Sequence, residues 1–73
     1  MGSERPIDVL DKAKGKRILV KLKNGEEITG NLVALDLHLN MWLDGAEIVK
    51  DQTKTKVGNI FVRGDTVVYS IIL

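Results

Sequence analysis

The chain contains no cysteine, and it has only one histidine among its 73 residues. The absence of cysteine excludes disulfides and thiolate metal sites, and a lone histidine argues against a structural zinc site. We therefore expect no metal and no other cofactor. Domains this small rely on disulfides, metals or oligomerisation for stability. The sequence thus predicts a single domain, residues 1–73, that is supported by association with other copies of itself.

Aromatic residues are also scarce, at 4% of the chain, although 44% of it is hydrophobic. No apolar run approaches the ~20 residues that span a bilayer, and no signal-peptide hydrophobic region opens the chain. We therefore expect a soluble, cytoplasmic protein with no membrane partner. The net charge of +1 does not by itself indicate nucleic-acid binding. The basic segment from Lys12 to Lys23 is either a solvated face or a weak second contact for a polyanion.

The hydrophobic pattern predicts one short helix, at about residues 6–14, followed by about five strands. Gly15 is expected to take the left-handed conformation that ends the helix. Ile18 and Val20 open the first strand, and the pair Asn24-Gly25 predicts a type I′ hairpin turn. Gly30, in the middle of the second strand, predicts a bend or a bulge.

The third strand is predicted over "LHLNMWLD", with its core-facing side formed by Leu37, Leu39, Met41 and Leu43. A turn at "DG" then leads to a fourth strand that begins at "AEIV" and is interrupted by the polar tip "KDQTKTK". The final strand is "TVVYSIIL". These elements predict a mainly β fold, in which a short N-terminal helix precedes a strongly bent five-stranded antiparallel sheet closed as a small barrel.

Two of the predicted strands would form sheet edges that are open to pairing with another chain. The strands around "NIFV" and "TVVYSIIL" are apolar and carry little charge or proline to prevent pairing with another chain. We interpret the lack of charge and proline in these two strands as a sign that they pair with strands of other subunits. Head-to-tail pairing that closes on itself produces a ring.

Three polar residues alternate with leucines in "DLHLN": Asp36, His38 and Asn40. An imidazole can stack on a nucleobase, and an asparagine presents a donor and an acceptor side by side to a base edge. A strand that only fills a core would not need them. Taken singly, His38 is more often a surface or core histidine, and Asn40 and Asp36 are common in turns.

The last predicted turn, "VRGD", supplies a second set of polar residues. Arg63 offers a planar guanidinium that stacks on a base or binds a phosphate. Gly64 permits a close backbone approach, and Asp65 can orient Arg63 or Asn40. Taken alone, "RGD" is a chance tripeptide, and Trp42 is expected to serve packing or subunit contact rather than stacking. No nucleophile or metal cluster accompanies His38, so we do not expect an enzyme.

The two segments together resemble the paired motifs of the Sm-like (Lsm) proteins, most closely those of archaea. The first motif corresponds to about residues 17–49 and the second to about residues 58–71, so the resemblance covers essentially the whole chain. It implies a homo-oligomeric ring, usually a heptamer, closed by pairing the fourth strand of one subunit with the fifth of the next. It also implies a ribonucleoprotein role in RNA processing, in which the ring is a scaffold or chaperone for single-stranded, uridine-rich RNA.

The resemblance also assigns roles to individual residues. His38 and Arg63 would sandwich a base, while Asn40 would bond the uracil edge. Asp65 would position Asn40 or Arg63, and Gly64 would allow close approach. Asp36 would have a mainly structural role. The sequence differs from the usual family motif at three positions: Leu39, Trp42 and Thr66.

Two other functions fit the sequence less well. One is a structural ring that binds protein partners and carries a vestigial RNA site, against which the intact set of base-contacting residues speaks. The other is an OB-like barrel that binds single-stranded DNA. Such folds depend on several exposed aromatics, and this chain has three aromatic residues in all.

Overall fold

The fold is a single antiparallel sheet preceded by a short helix, as the computed structural model describes it for residues 5–73. The elements are α1 (Pro6–Asp11), β1 (Arg17–Leu22), β2 (Glu27–Leu35), β3 (Met41–Lys50), β4 (Thr53–Val62), a 3-10 turn (Gly64–Thr66) and β5 (Val67–Ile72). The strand order is β4-β3-β2-β1-β5. The predicted fold class is confirmed. Within the described residues β4 and β5 are both edge strands, so the bent sheet is not closed by a ladder between them.

Helix α1 ends at Asp11, before the predicted limit at about residue 14, and the chain continues as a turn. Gly15 has a φ of 84°, the left-handed conformation expected of it. Its amide donates to the Leu32 carbonyl at 2.8 Å, which fastens the end of this segment to β2. Ala13, just beyond the helix, is buried in the core.

The core lies on one face of the sheet, where alternate residues of the strands meet. The buried apolar residues are Ala13, Ile18, Val20, Ile28, Leu32, Met41, Leu43, Ala46 and Val62. Gly30 is buried among them, and a Cβ at this position would lie 3.1 Å from the Leu43 Cβ. The pairing of β2 with β3 shifts register beside it. The predicted bend at Gly30 is thus confirmed, and the missing side chain lets β3 pack closely against β2.

The β1–β2 hairpin has a three-residue loop rather than the predicted type I′ turn. The Gly25 amide donates to the Leu22 carbonyl at 3.0 Å, and the Leu22 amide donates to the Glu26 carbonyl at 2.9 Å. Gly25 alone in this loop has a positive φ, 92°. This is a type I turn followed by a left-handed residue, the common three-residue hairpin connection.

The "DG" turn predicted at Asp44-Gly45 is wrong, because both residues lie inside β3. Gly45 has a φ of 56°, and the pairing with β4 shifts register between Leu43 and Ala46. The positive φ is therefore used for a bulge in a long strand rather than for a chain reversal. The reversal comes later, at Asp51 and Gln52, whose φ values are 50° and 68°.

Among residues 5–73, no helix has both the length and the apolar character needed to cross a membrane.

Candidate functional site

The segment "DLHLN" is a loop between β2 and β3, not part of a strand as predicted. The Asp36 amide donates to the Asn40 carbonyl at 3.1 Å, and the Leu39 amide donates to the Asp36 carbonyl at 3.0 Å. This is the same three-residue connection as the β1–β2 loop. Leu39, with a φ of 63°, takes the left-handed position that Gly25 occupies there. Leu37 is 77% exposed and Leu39 is 39% exposed, so the prediction that they anchor a strand in the core is wrong.

Asp36 holds the loop together from its first position. Its carboxylate accepts hydrogen bonds from the backbone amides of His38 and Asn40, at 2.9 and 3.1 Å, and from the Asn40 side-chain Nδ2 at 3.1 Å. An aspartate that bonds backbone amides two and four residues ahead stabilises a tight turn. These contacts fix the loop and the orientation of the Asn40 amide.

The charge of Asp36 makes this loop sensitive to acid. The side-chain hydrogen bond from Asn40, with the backbone bonds, lowers the pKa of Asp36 below its ordinary value of 3.8. Because the folded-state pKa is depressed, the contribution to loop stability is fully present above about pH 3.8 and is lost as the pH falls through the lowered pKa.

We therefore expect the backbone amides of His38 and Asn40 to remain protected from hydrogen exchange at neutral pH and to lose protection below pH 3.8, the ordinary aspartate value. Nuclear magnetic resonance measurements over a pH series would test this. In the Asp36→Asn variant, which has no titrating group at this position, the same amides should show no such transition. A transition of equal size in that variant would assign the acid sensitivity to another group.

Asn40 joins this loop to the turn that follows β4. The Gly64 amide donates to the Asn40 Oδ1 at 2.8 Å, across 24 residues of sequence. A Cβ added at Gly64 would overlap the carbonyl oxygen of His38 and would lie 2.9 Å from the Leu39 carbonyl carbon. The close approach predicted at Gly64 is thus made by the protein's own backbone. Without a side chain there, the two segments dock directly on each other.

Arg63 and Asp65 form an ion pair at the solvent-facing side of this junction. The Arg63 Nη2 lies 3.1 Å from the Asp65 Oδ2, and both side chains are largely exposed. The sequence predicts that Asp65 contacts Arg63 or Asn40, and in the structure its partner is Arg63. The residue that holds Asn40 is instead Asp36. An exposed pair of this kind adds little to stability, but it limits the directions in which the guanidinium can point.

The structure brings the five predicted binding residues to one place. A single open cavity of about 530 Å³ is lined by His38, Asn40, Arg63, Gly64 and Asp65. Its wall offers an imidazole and a guanidinium, which are flat groups able to stack on a ring. It also offers an amide with one donor and one acceptor position to spare. The arrangement can hold a planar heterocycle and read its polar edge.

Trp42 lies on the side of β3 that faces away from the core. This side chain is 41% exposed and pairs with Phe61, at 6.3 Å between ring centroids. The alternation of the strand predicted this side, because Trp42 lies between the core-facing residues Met41 and Leu43, which are both buried.

Comparison with known proteins identifies a family and several similar structures. The LSM domain family profile matches residues 8–72. A snRNP Sm-like protein of Thermococcus kodakarensis is 46% identical over 66 residues, which cover 89% of this chain and 87% of that protein. The structure is similar to the SmAP1 heptamer of P. aerophilum, with a TM-score of 0.92, 33% identity and coverage of 99% of this chain and 97% of that one. It is also similar to a Pyrococcus abyssii Sm protein in complex with a uridine heptamer, with a TM-score of 0.89, 41% identity and coverage of 96% and 100%.

Proposed function

Because the chain belongs to the LSM domain family, we propose that it forms a homo-oligomeric ring that binds single-stranded, uridine-rich RNA. In this proposal the ring acts without catalysis, as a scaffold or chaperone in RNA processing. The observation that carries the proposal is the docking of the Asp36–Asn40 loop on the Arg63–Asp65 turn. That contact, made by the Gly64 amide and the Asn40 Oδ1 at 2.8 Å, creates the cavity.

The fixed orientation of the Asn40 amide explains a preference for uracil. Its Oδ1 accepts from Gly64 and its Nδ2 donates to Asp36, so the amide cannot rotate without losing both bonds. One lone pair and one N–H remain for a ligand. Uracil presents N3–H as a donor beside O4 as an acceptor, whereas cytosine presents the opposite pair. A fixed amide therefore suits uracil and leaves cytosine mismatched.

In this arrangement His38 and Arg63 stack on the two faces of the uracil. The His38 side chain is exposed and makes no hydrogen bond within the described part of the chain, so the imidazole is available for stacking. The guanidinium of Arg63 is held by Asp65. Base stacking of this kind contributes roughly 1–3 kcal/mol per base. Repetition around a ring raises the effective concentration of sites for a run of uridines.

A titration of the protein with fluorescent oligo-uridine and oligo-cytidine of equal length tests this function. We expect oligo-uridine to bind more tightly, by about 5- to 150-fold for each occupied site, from the roughly 1–3 kcal/mol that a bidentate edge contact discriminates. Equally weak binding of the two oligomers would contradict the uridine preference.

The edges of the sheet support assembly into a ring. Strands β4 and β5 are the two edges, and a groove of about 450 Å³ runs beside β5, with Val9, Val68 and Ile72 among its apolar lining residues. On β4, the half near the tip carries Lys54 and Lys56, which oppose edge pairing. The apolar half near Val62 is therefore the part suited to pair with β5 of another copy. We propose a heptamer, as in the similar P. aerophilum structure.

Replacing Val68 with glutamate is expected to dissociate the ring. Val68 is 58% exposed and lines the groove beside β5, so a carboxylate there would be buried without a partner once the next copy docks. Native mass spectrometry should show loss of the oligomer. Val33→Glu is the matched control, since Val33 is 49% exposed on the inner strand β2 and should leave the ring intact. An intact Val68→Glu oligomer would place the interface elsewhere.

A further inference from the structure

Two of the chain's three aromatic residues form an exposed pair beside the candidate base site. Trp42 of β3 and Phe61 of β4 are cross-strand partners, with ring centroids 6.3 Å apart and planes tilted by 44°. They alternate with the buried residues Met41, Leu43 and Val62, so both rings point away from the core. Trp42 is 41% exposed and Phe61 is 55% exposed. Burying such rings would normally be favourable, so their exposure needs an explanation.

The aromatic pair lies close to the base-binding cavity along both strands. Trp42 comes two residues after Asn40, and Phe61 comes two residues before Arg63. At about 3.3 Å per residue along a strand, the aromatic pair lies about 7 Å from the residues that line the cavity. One nucleotide of an extended RNA strand can span that distance.

We propose that Trp42, supported on one side by Phe61, stacks on a second nucleobase of the RNA strand whose uracil occupies the cavity. This inference rests on the proposed RNA-binding function. Every base has a π face, so stacking on an indole tolerates any base. Each subunit would then hold two neighbouring nucleotides, one selected by the Asn40 amide and one held without selection for its identity.

The position of Trp42 within the sheet favours RNA, rather than a second copy of the chain, as the molecule that covers the indole. Subunit pairing uses the free edge of β4, whereas Trp42 lies on β3, which is paired with β2 and β4 on its two sides. Its neighbour on β2 is Ala34, which is exposed and too small to cover the indole. The indole is therefore one strand removed from the edge and open on the side away from Phe61.

Trp42 is the single tryptophan of the chain, so its intrinsic fluorescence reports on the site directly. We expect oligo-uridine to quench this fluorescence, and we expect uridine monophosphate, added at one equivalent per cavity so that no second base is supplied, to leave it unchanged. Equal quenching by both would overturn the inference by assigning Trp42 to the first base. If oligo-uridine binds but causes no quenching, the inference also fails, while the proposed function stands.

Substitutions of Trp42 provide a second test, which measures affinity for RNA. Trp42→Leu should lower the affinity for oligo-uridine at least about fivefold, while Trp42→Phe should retain most of it. Both should bind uridine monophosphate as the unaltered protein does, and both should keep its oligomeric mass. A smaller oligomer for Trp42→Leu would show a subunit contact and overturn the inference. If the unaltered protein does not bind oligo-uridine, the proposed function fails first, and the inference falls with it.

Discussion

Replacing Gly64 with alanine is expected to lower the affinity for oligo-uridine by about 10- to 100-fold. The added Cβ would overlap the His38 carbonyl oxygen, and this neighbour is backbone that cannot rotate away. The loop or the turn must therefore move, and the hydrogen bond from the Gly64 amide to Asn40 is lost with it. Overpacking of this kind costs about 1–3 kcal/mol, and 1.4 kcal/mol corresponds to a tenfold change in affinity. Fluorescence anisotropy with labelled oligo-uridine measures the effect.

Gly25→Ala is the matched control for this substitution. Gly25 lies in the corresponding hairpin loop between β1 and β2, where a Cβ would meet nothing within 4 Å. Its φ of 92° makes alanine unfavourable by about 1–2 kcal/mol, so Gly25→Ala should lower stability without changing RNA affinity. If Gly64→Ala also left the affinity unchanged, contact between the loop and the turn would not be required for binding.

Replacing Asn40 with aspartate is expected to weaken oligo-uridine binding by about 10- to 100-fold and to remove the preference over oligo-cytidine. A carboxylate has the shape of the amide but cannot donate to uracil O4, and it can accept from the N4 amino group of cytosine. It would also face the Asp36 carboxylate, 3.1 Å away, where the amide now donates a hydrogen bond. Parallel titrations with the two oligomers measure both effects.

The same substitution at Asn24 controls for the added negative charge. Asn24 occupies the β1–β2 loop, and its side chain also bonds within that loop, to Glu26. We expect Asn24→Asp to leave both the affinity and the base preference nearly unchanged. A similar loss for Asn24→Asp and Asn40→Asp would mean that net charge, rather than the amide of Asn40, determines binding.

The fold class was predictable because period-two patterning in β1 and β2 reports burial directly. Ile18 and Val20 are buried, and Gly30 lies at a register shift, as their positions in the pattern predicted. The position of the later turns was not predictable in the same way. Glycine after aspartate at Gly45 indicated a chain reversal, but the positive φ there forms a bulge. Local sequence shows that a positive φ is favoured without showing which structure will use it.

The loop at Asp36–Asn40 shows why the site was only partly predictable. The pattern of leucines indicated a strand, because Leu39 stands where a three-residue hairpin loop favours glycine. Three hydrogen bonds to the Asp36 carboxylate hold this loop, and they compensate for the left-handed Leu39. These hydrogen bonds form only in the folded loop, so they leave no periodic pattern in the sequence. The grouping of residues could be inferred from the two motifs, but the contacts of Asp36 and Gly64 could not.

We propose above all that one protein assembly recognises uridine through sites repeated in every copy. Native mass spectrometry of the protein mixed with equal amounts of a uridine heptamer and a cytidine heptamer tests it most directly. We predict a heptamer of the protein that retains the uridine oligomer and excludes the cytidine oligomer. Detection of monomers alone, or equal retention of the two oligomers by the ring, would contradict this account.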